Sequence, residues 1–304
     1  MKDLQVTLNS PRAWLLAARP KTLSGAAVPV VIGLSLAWCD AGGSEGGAFS
    51  WTAAALCLAF ALIMQVDANF VNDFFDYVRG NDDMATRLGP PRACTQGWVT
   101  ADAMKRAIAL TTVAACLVGL PLIWFGGLEM VLIGVLCVLF CFLYTTHLSY
   151  VGMGDVLVLV FFGIVPVCIT YYIQLRTCTL EVVAAAVACG AVIDCLLVVN
   201  NYRDRDNDRR DGKVTSVVLM GARRAEWLYL MLGVTATVVL GAAFWLGGHV
   251  LAYLLPFIYL VLHLFTWLKI RRIGQGRRLN ECLGETARNI LVYGLCVSIG
   301  LLLI

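Results

Sequence analysis

The chain has 304 residues, of which 60% are hydrophobic and 14% charged, and its formal net charge is +3. A soluble domain of this size has no interior large enough for that apolar surface, so the composition excludes a water-soluble globule and points to a polytopic membrane protein. The small charge excess makes no case for nucleic acid as a partner, because the basic residues follow membrane topology.

Ahead of the first apolar segment, Pro11–Arg19 reads as a short interfacial helix with Trp14 at headgroup level. The opening residues lack the basic leader, apolar core and small-residue cleavage site of a secretory signal. Nine apolar segments follow: Thr22–Trp38, with Pro29 as a bend point, Trp51–Asp76, Ala103–Trp124, Leu128–Thr146, Val151–Ile173, Leu180–Asn201, Glu226–Leu246, Val250–Leu268 and Gly284–Ile304. Most approach the roughly 20 residues that cross a bilayer. Without the alternating strands of a membrane barrel, helices are the way to satisfy the backbone in lipid. The expected fold is therefore all-α: nine transmembrane helices bundled around a central cavity open to the cytoplasm.

Of the 23 Lys and Arg, all but Arg176 fall on the N-terminal tail or on the connections after the second, sixth and eighth segments and their flanks. That asymmetry predicts a cytoplasmic N-terminus and an external C-terminus. The same side holds two acidic clusters. Asn69, Asn72, Asp73 and Asp76 close the second segment, with Asp82 just beyond. Asn200, Asn201, Asp204, Asp206 and Asp208 close the sixth, followed by Asp211. Carboxylates near hydrocarbon are expensive and mark functional sites.

Helical spacing puts Asn69, Asp73 and Asp76 on roughly one face, and Asn201, Asp204 and Asp208 repeat the pattern. Oxygen donors so arranged suit Mg²⁺, and two facing sets suit a diphosphate held through it. Asp82 and Asp211 lie on loops able to fold over the cavity. Lys21, Arg92 and Lys213 are the basic residues placed to grip the remaining phosphate oxygens. Tyr144 and Tyr150 bracket the turn after the fourth segment, where they serve as interfacial aromatics or as stabilising faces for a carbocation. The scattered cysteines have no C-x-x-C spacing, and the three histidines have no ligand spacing, so neither is expected to bind metal.

Since each cluster ends a segment four spans apart, the chain reads as a four-helix unit used twice: residues 1–150, then 151–268, with 269–304 adding the last helix, all in one transmembrane domain.

These residues resemble the UbiA-type intramembrane prenyltransferase superfamily, whose members carry two Asp-rich motifs on a nine-helix bundle. Several stretches are similar to its naphthoate branch in menaquinone synthesis. They are Ala18-Arg19-Pro20-Lys21-Thr22-Leu23, Asn72-Asp73-Phe74-Phe75-Asp76 with Asp82, Arg87-Leu88-Gly89-Pro90-Pro91-Arg92, Asn200-Asn201-Tyr202-Arg203-Asp204 through Thr215, and Leu279-Asn280 through Arg288. Two features depart from the wider pattern. Gly80 stands where the superfamily often has an acid, the acid arriving at Asp82 as in the naphthoate branch. Gly152-Met153-Gly154-Asp155 replaces the Gly-Leu-Gly-Glu usual in that branch.

The resemblance implies transfer of a polyprenyl group from polyprenyl diphosphate to 1,4-dihydroxy-2-naphthoate with decarboxylation, in the bacterial inner membrane. Asn72, Asp76, Asp82, Asn201, Asp204 and Asp208 would hold Mg²⁺. Lys21, Asn69, Asp73, Arg92, Tyr144, Tyr150, Asp211 and Lys213 would attend the substrates. Two alternatives stay open. One is the same chemistry on 4-hydroxybenzoate, homogentisate or a glycerol phosphate. The other is an ion-coupled transporter, which the acids' position at helix ends disfavours.

Overall fold

A computed structural model describes residues 6–43, 49–80 and 87–303, all helical or irregular apart from one isolated bridge between Val151 and Val214. The helices are α1 (Pro11–Ala18), α2 (Leu23–Asp40), α3 (Trp51–Arg79), α4 (Ala101–Gly119), α5 (Glu129–Thr146), α6 (Gly154–Leu175), α7 (Leu180–Arg210), α8 (Ala222–Leu246), α9 (Val250–Ile273) and α10 (Leu279–Leu302). A further turn, Leu122–Gly126, follows α4 beyond Pro121.

Their starts are written locally. Ser50, Thr100 and Thr179 cap α3, α4 and α7 by accepting from the backbone N–H three residues on, at Ala53, Ala103 and Val182. Gly80, at φ 71, ends α3 in the left-handed conformation.

Eight of the described helical stretches are long and apolar enough to cross a membrane, and the chain is an integral membrane protein. They coincide with eight of the nine expected segments. The third segment is also helical, as α4, but every 18-residue stretch of it contains Asp102, Lys105 and Arg106. Two expected boundaries move as well: α3 runs on to Arg79 and α7 to Arg210, so both acidic clusters are helical. Pro29 lies inside α2 without ending it. The N-terminal helix buries Ala13 and Ala17 completely, and its Trp14 packs edge-on against Phe70 of α3 at 5.6 Å.

The bundle closes by backbone-to-backbone approach at small residues, which in lipid replaces the hydrophobic drive of water. α6 meets α7 where Gly163 faces Ala186 and Gly190, and a methyl on Gly163 would lie 2.6 Å from the Ala186 carbonyl oxygen. Near this contact Leu159–Ile164 of α6 widens into a π-helical turn. The largest buried cluster collects around α7, including Ala186, Cys189, Val192, Tyr171, Tyr259 and Tyr293.

Gly163→Ala is expected to destabilise the protein by about 1–3 kcal/mol, read as a lowered unfolding temperature in detergent. Gly134→Ala, where nothing lies within 4 Å of the added methyl, is the control and should not lower that temperature.

Candidate active site

A cavity of about 880 Å³ runs between α3 and α7. Along α3 its lining passes from Cys57 through Met64, Asn69 and Asn72 to Asp76, about 28 Å of helix at 1.5 Å per residue. On α7 it passes from Ile193 and Leu197 to Asn201, Asp204 and Asp208. The deep end is apolar, and the polar end gathers the acids and bases of both clusters.

Of the residues marked by sequence, Lys21, Asn69, Asn72, Asp76, Arg92, Tyr144, Tyr150, Asn201, Asp204, Asp208, Asp211 and Lys213 all line this space. Asp82 lies outside the described residues. Asp73 is 1% exposed and turned away, and both its oxygens accept backbone N–H bonds, from Ala93 at 2.8 Å and Cys94 at 2.9 Å. The helix wheel explains the divergence: Asn69 and Asp76 nearly align, Asn72 lies to one side of them and Asp73 to the other. The cavity takes the Asn72 flank, and segment 92–94 covers the Asp73 flank.

Three acids at the mouth, Asp76, Asp204 and Asp208, have cationic partners. Arg92 Nη2 is 2.6 Å from Asp76 Oδ2. Arg203, 3% exposed, grips its neighbour Asp204 with two bonds, Nε to Oδ1 at 2.8 Å and Nη2 to Oδ2 at 2.5 Å. The same guanidinium donates to Asn200 and Asn280 at 2.8 Å each, and Asn280 donates to the Leu88 carbonyl at 2.8 Å. Gly89 packs so close that a methyl there would come within 2.7 Å of Arg203 Nη2. Lys213 Nζ stands 3.6 Å from Asp208 Oδ1, while Asp208 Oδ2 is buried with no hydrogen-bond partner among the described residues.

Asn69 donates to Ala18 O and Thr22 Oγ1 at 2.9 Å each, pinning the turn that carries Lys21. Within that turn Arg19 is held at φ 50 and lines the cavity, 4.0 Å from Asp73. Arg79 donates to the Thr145 carbonyl at 3.1 Å and to the Thr146 carbonyl, where α5 presents its negative end. Its guanidinium lies 4.9 Å from the Tyr150 ring centre, with Lys213 Nζ at 5.8 Å. Tyr150 is thus packed among cations.

Arg19, Arg87, Asp155 and Arg203 also belong to this space, although sequence reading did not single them out as site residues. Burial, then the charge of Arg19, pushes the Arg87 guanidinium below its ordinary range, while Asp204 and Asp76 oppose that shift. Cations crowded in this way are relieved by a polyanion.

Among the described residues, no three His, Cys, Asp or Glu converge closely enough to ligate a metal by themselves. The donors are carboxylate and amide oxygens: Asn72 and Asp76 on one helix, Asn201, Asp204 and Asp208 on the other. Such a set suits Mg²⁺, which takes one or two carboxylates and completes its shell with water and phosphate oxygens. The orphaned Asp208 Oδ2 is the atom in want of a cation.

The UbiA prenyltransferase family model matches residues 27–280. The 1,4-dihydroxy-2-naphthoate octaprenyltransferase of Escherichia coli (strain K12) is 36% identical over 236 residues, 74% of each chain. The protein of the same description from Mycobacterium tuberculosis is 33% identical over 293 residues, covering 94% of this chain and 95% of that one. Among solved structures, a UbiA homolog from Aeropyrum pernix K1 superposes with TM-score 0.68 at 15% identity, over 92% of this chain and 97% of its own. A UbiA homolog from Archaeoglobus fulgidus bound to GPP and Mg²⁺ gives 0.60 at 15% identity, over 94% and 99%.

Asp73→Ala strips two charge-assisted bonds from buried amides and should cost roughly 3 kcal/mol or more of stability, measured by thermal unfolding. Asp208→Asn, which breaks no hydrogen bond to the backbone, should leave the unfolding temperature close to that of the parent.

Proposed function

This chain belongs to the UbiA prenyltransferase family, and on that footing we propose that it transfers the polyprenyl group of a polyprenyl diphosphate to 1,4-dihydroxy-2-naphthoate, releasing CO₂ and giving demethylmenaquinol, a step of menaquinone synthesis. One observation carries this reading. Two acidic patches, each with its own cations, share the polar mouth of a cavity whose remaining length is apolar. A molecule with a diphosphate head and a long hydrocarbon tail matches that gradient end to end. The naphthoate octaprenyltransferases, similar over most of the chain, supply the acceptor.

Asn72, Asp76, Asn201, Asp204 and Asp208 would hold Mg²⁺, with Asp82 as a further proposed ligand. Bound there, the metal neutralises the diphosphate and makes it a better leaving group. The chain's own residues do the rest. Lys21, Arg92 and Lys213 meet the charge that grows on the bridging oxygen as the carbon–oxygen bond breaks. Asn69 holds the Lys21 turn in register, and Asp73 holds the Arg92 segment, so both cations are in place before the substrate arrives. Tyr144 and the apolar walls flank the allylic cation and exclude water that would quench it. The enzyme resides in the bacterial cytoplasmic membrane, with its N-terminus and the cavity mouth on the cytoplasmic side and its C-terminus outside.

With purified protein, farnesyl diphosphate and Mg²⁺, dihydroxynaphthoate should give a prenylated, decarboxylated product. Chelation by EDTA should stop turnover and added Mg²⁺ restore it. Asp76→Ala and Asp208→Ala should each lower kcat by at least about 100-fold. Product from 4-hydroxybenzoate with none from dihydroxynaphthoate would overturn the acceptor.

A further inference from the structure

One acid of the cavity wall has no part in the diphosphate chemistry above. Asp155, which ends the Gly152-Met153-Gly154-Asp155 stretch, lies in the first turn of α6 and lines the cavity. Its Oδ1 accepts from Ser216 Oγ at 3.0 Å, across 61 residues of sequence. Ser216 follows the turn that carries Lys213, and it lines the cavity too. The start of α6 is a firm anchor for this bond. Gly154 is buried there, and a methyl on it would come within 3.2 Å of Leu197 Cδ2 on α7.

Around Lys213 the chain is tied down at three points. The Lys213 N–H donates to the Asp208 carbonyl at 2.8 Å, and the Val214 N–H donates to the Tyr150 carbonyl at 3.0 Å. Beside the second bond, Val151 and Val214 form the isolated parallel bridge. Both of these ties are backbone bonds that many side chains would allow. The third, from Ser216 to Asp155, is the one made by side chains, and a bond to a carboxylate is stronger than one between neutral groups. Lys213 sits among these ties. Its Nζ stands 3.6 Å from Asp208 Oδ1 and 5.8 Å from the Tyr150 ring centre. Neither contact is a hydrogen bond, and a lysine on its flexible four-carbon stem holds no direction by itself. The place of its charge therefore depends on the backbone beneath it.

We propose that Asp155 is a positioning residue for Lys213: through Ser216 it seats residues 213–216 so that the lysine ammonium faces the departing diphosphate. The proposal rests on the role given to Lys213 above. In this scheme Asp155 transfers no proton and touches no substrate. When the carbon–oxygen bond breaks, the charge left on the diphosphate meets a cation that is already in place. The length of the acid follows from the same contact, because the first turn of α6 stands close enough to Ser216 for an aspartate to reach it.

The test uses the full-length protein, with kinetics on farnesyl diphosphate, Mg²⁺ and dihydroxynaphthoate and calorimetric titration with magnesium pyrophosphate. Asp155→Ala and Ser216→Ala should each lower kcat/KM for farnesyl diphosphate about tenfold, the scale of one charge-assisted bond. Each should weaken pyrophosphate binding as well, with the KM for dihydroxynaphthoate unchanged. The two together should cost no more than Asp155→Ala alone, and in a Lys213→Ala background Asp155→Ala should cost less than about twofold. Asp155→Asn, which keeps an acceptor oxygen for Ser216, should stay within about threefold of the parent. The opposite pattern, with Ser216→Ala like the parent and Asp155→Asn as impaired as Asp155→Ala, means that the carboxylate acts directly and overturns the proposal. If Lys213→Ala is impaired and Asp155→Ala still costs its full factor in that background, the positioning role falls alone. If Lys213→Ala matches the parent, the role of Lys213 and the proposal fall together. If the parent prefers another acceptor ring, only the acceptor assignment fails, and the pyrophosphate titrations still decide the role of Asp155.

Discussion

A carboxylate at the edge of hydrocarbon has to be met by a cation or by hydrogen-bond donors, and that requirement organises the cytoplasmic end of this molecule. Asp76 draws in Arg92, Asp208 draws in Lys213, and Asp73 draws in the amides of Ala93 and Cys94. All of these partners lie on connections rather than on helices. The segment 87–94 and the turn around Lys213 are thus held over the cavity by the acids beneath them. Arg203 extends the same logic to α10, since the guanidinium that satisfies Asp204 also binds Asn280, and Asn280 binds Leu88. The mouth is one electrostatic unit built from parts far apart in sequence.

A mouth of paired ions is suited to exchanging partners. A magnesium diphosphate carries both signs: under the proposed function its metal would satisfy the aspartates and its oxygens would satisfy Arg92 and Lys213. Binding can then replace internal pairs by external ones without leaving a bare charge at any stage, which matters because one unpaired buried ion costs more than an intact pair contributes. Hydrophobic burial of the tail can then supply the net drive.

Much of this was legible in the chain. Apolar runs and the one-sided distribution of Lys and Arg marked out the spans, and the Asp and Asn spacings marked the faces that meet in the cavity. Asp73 was the exception, because both flanks of a helical face fit the same spacing and only the covering segment decides between them. Arg203 was hidden for a different reason. Beside Asp204, Arg205 and Asp206 it reads as one more solvated charge, and its burial depends on Asn280, 77 residues away. In α4, Asp102, Lys105 and Arg106 enter the first turns of the helix, and a reading by hydropathy blurs such a boundary.

Helix length then explains why the chemistry sits where it does. α3 and α7 have 29 and 31 residues, whereas α5 has 18. At 1.5 Å per residue the two long helices reach roughly 45 Å and α5 about 27 Å, against about 30 Å of hydrocarbon. The long helices overshoot the apolar layer by roughly 15 Å, and their last turns are the ones bearing Asp76 and Asp208. α5 stops near the layer's edge, where Tyr144 faces the cavity. The acids are therefore lifted to a depth that ions and a soluble aromatic acid can reach, while the walls they share with α5 stay in lipid. A polyprenyl diphosphate and a water-soluble acceptor have no common solvent, and this offset in helix length gives them a common site.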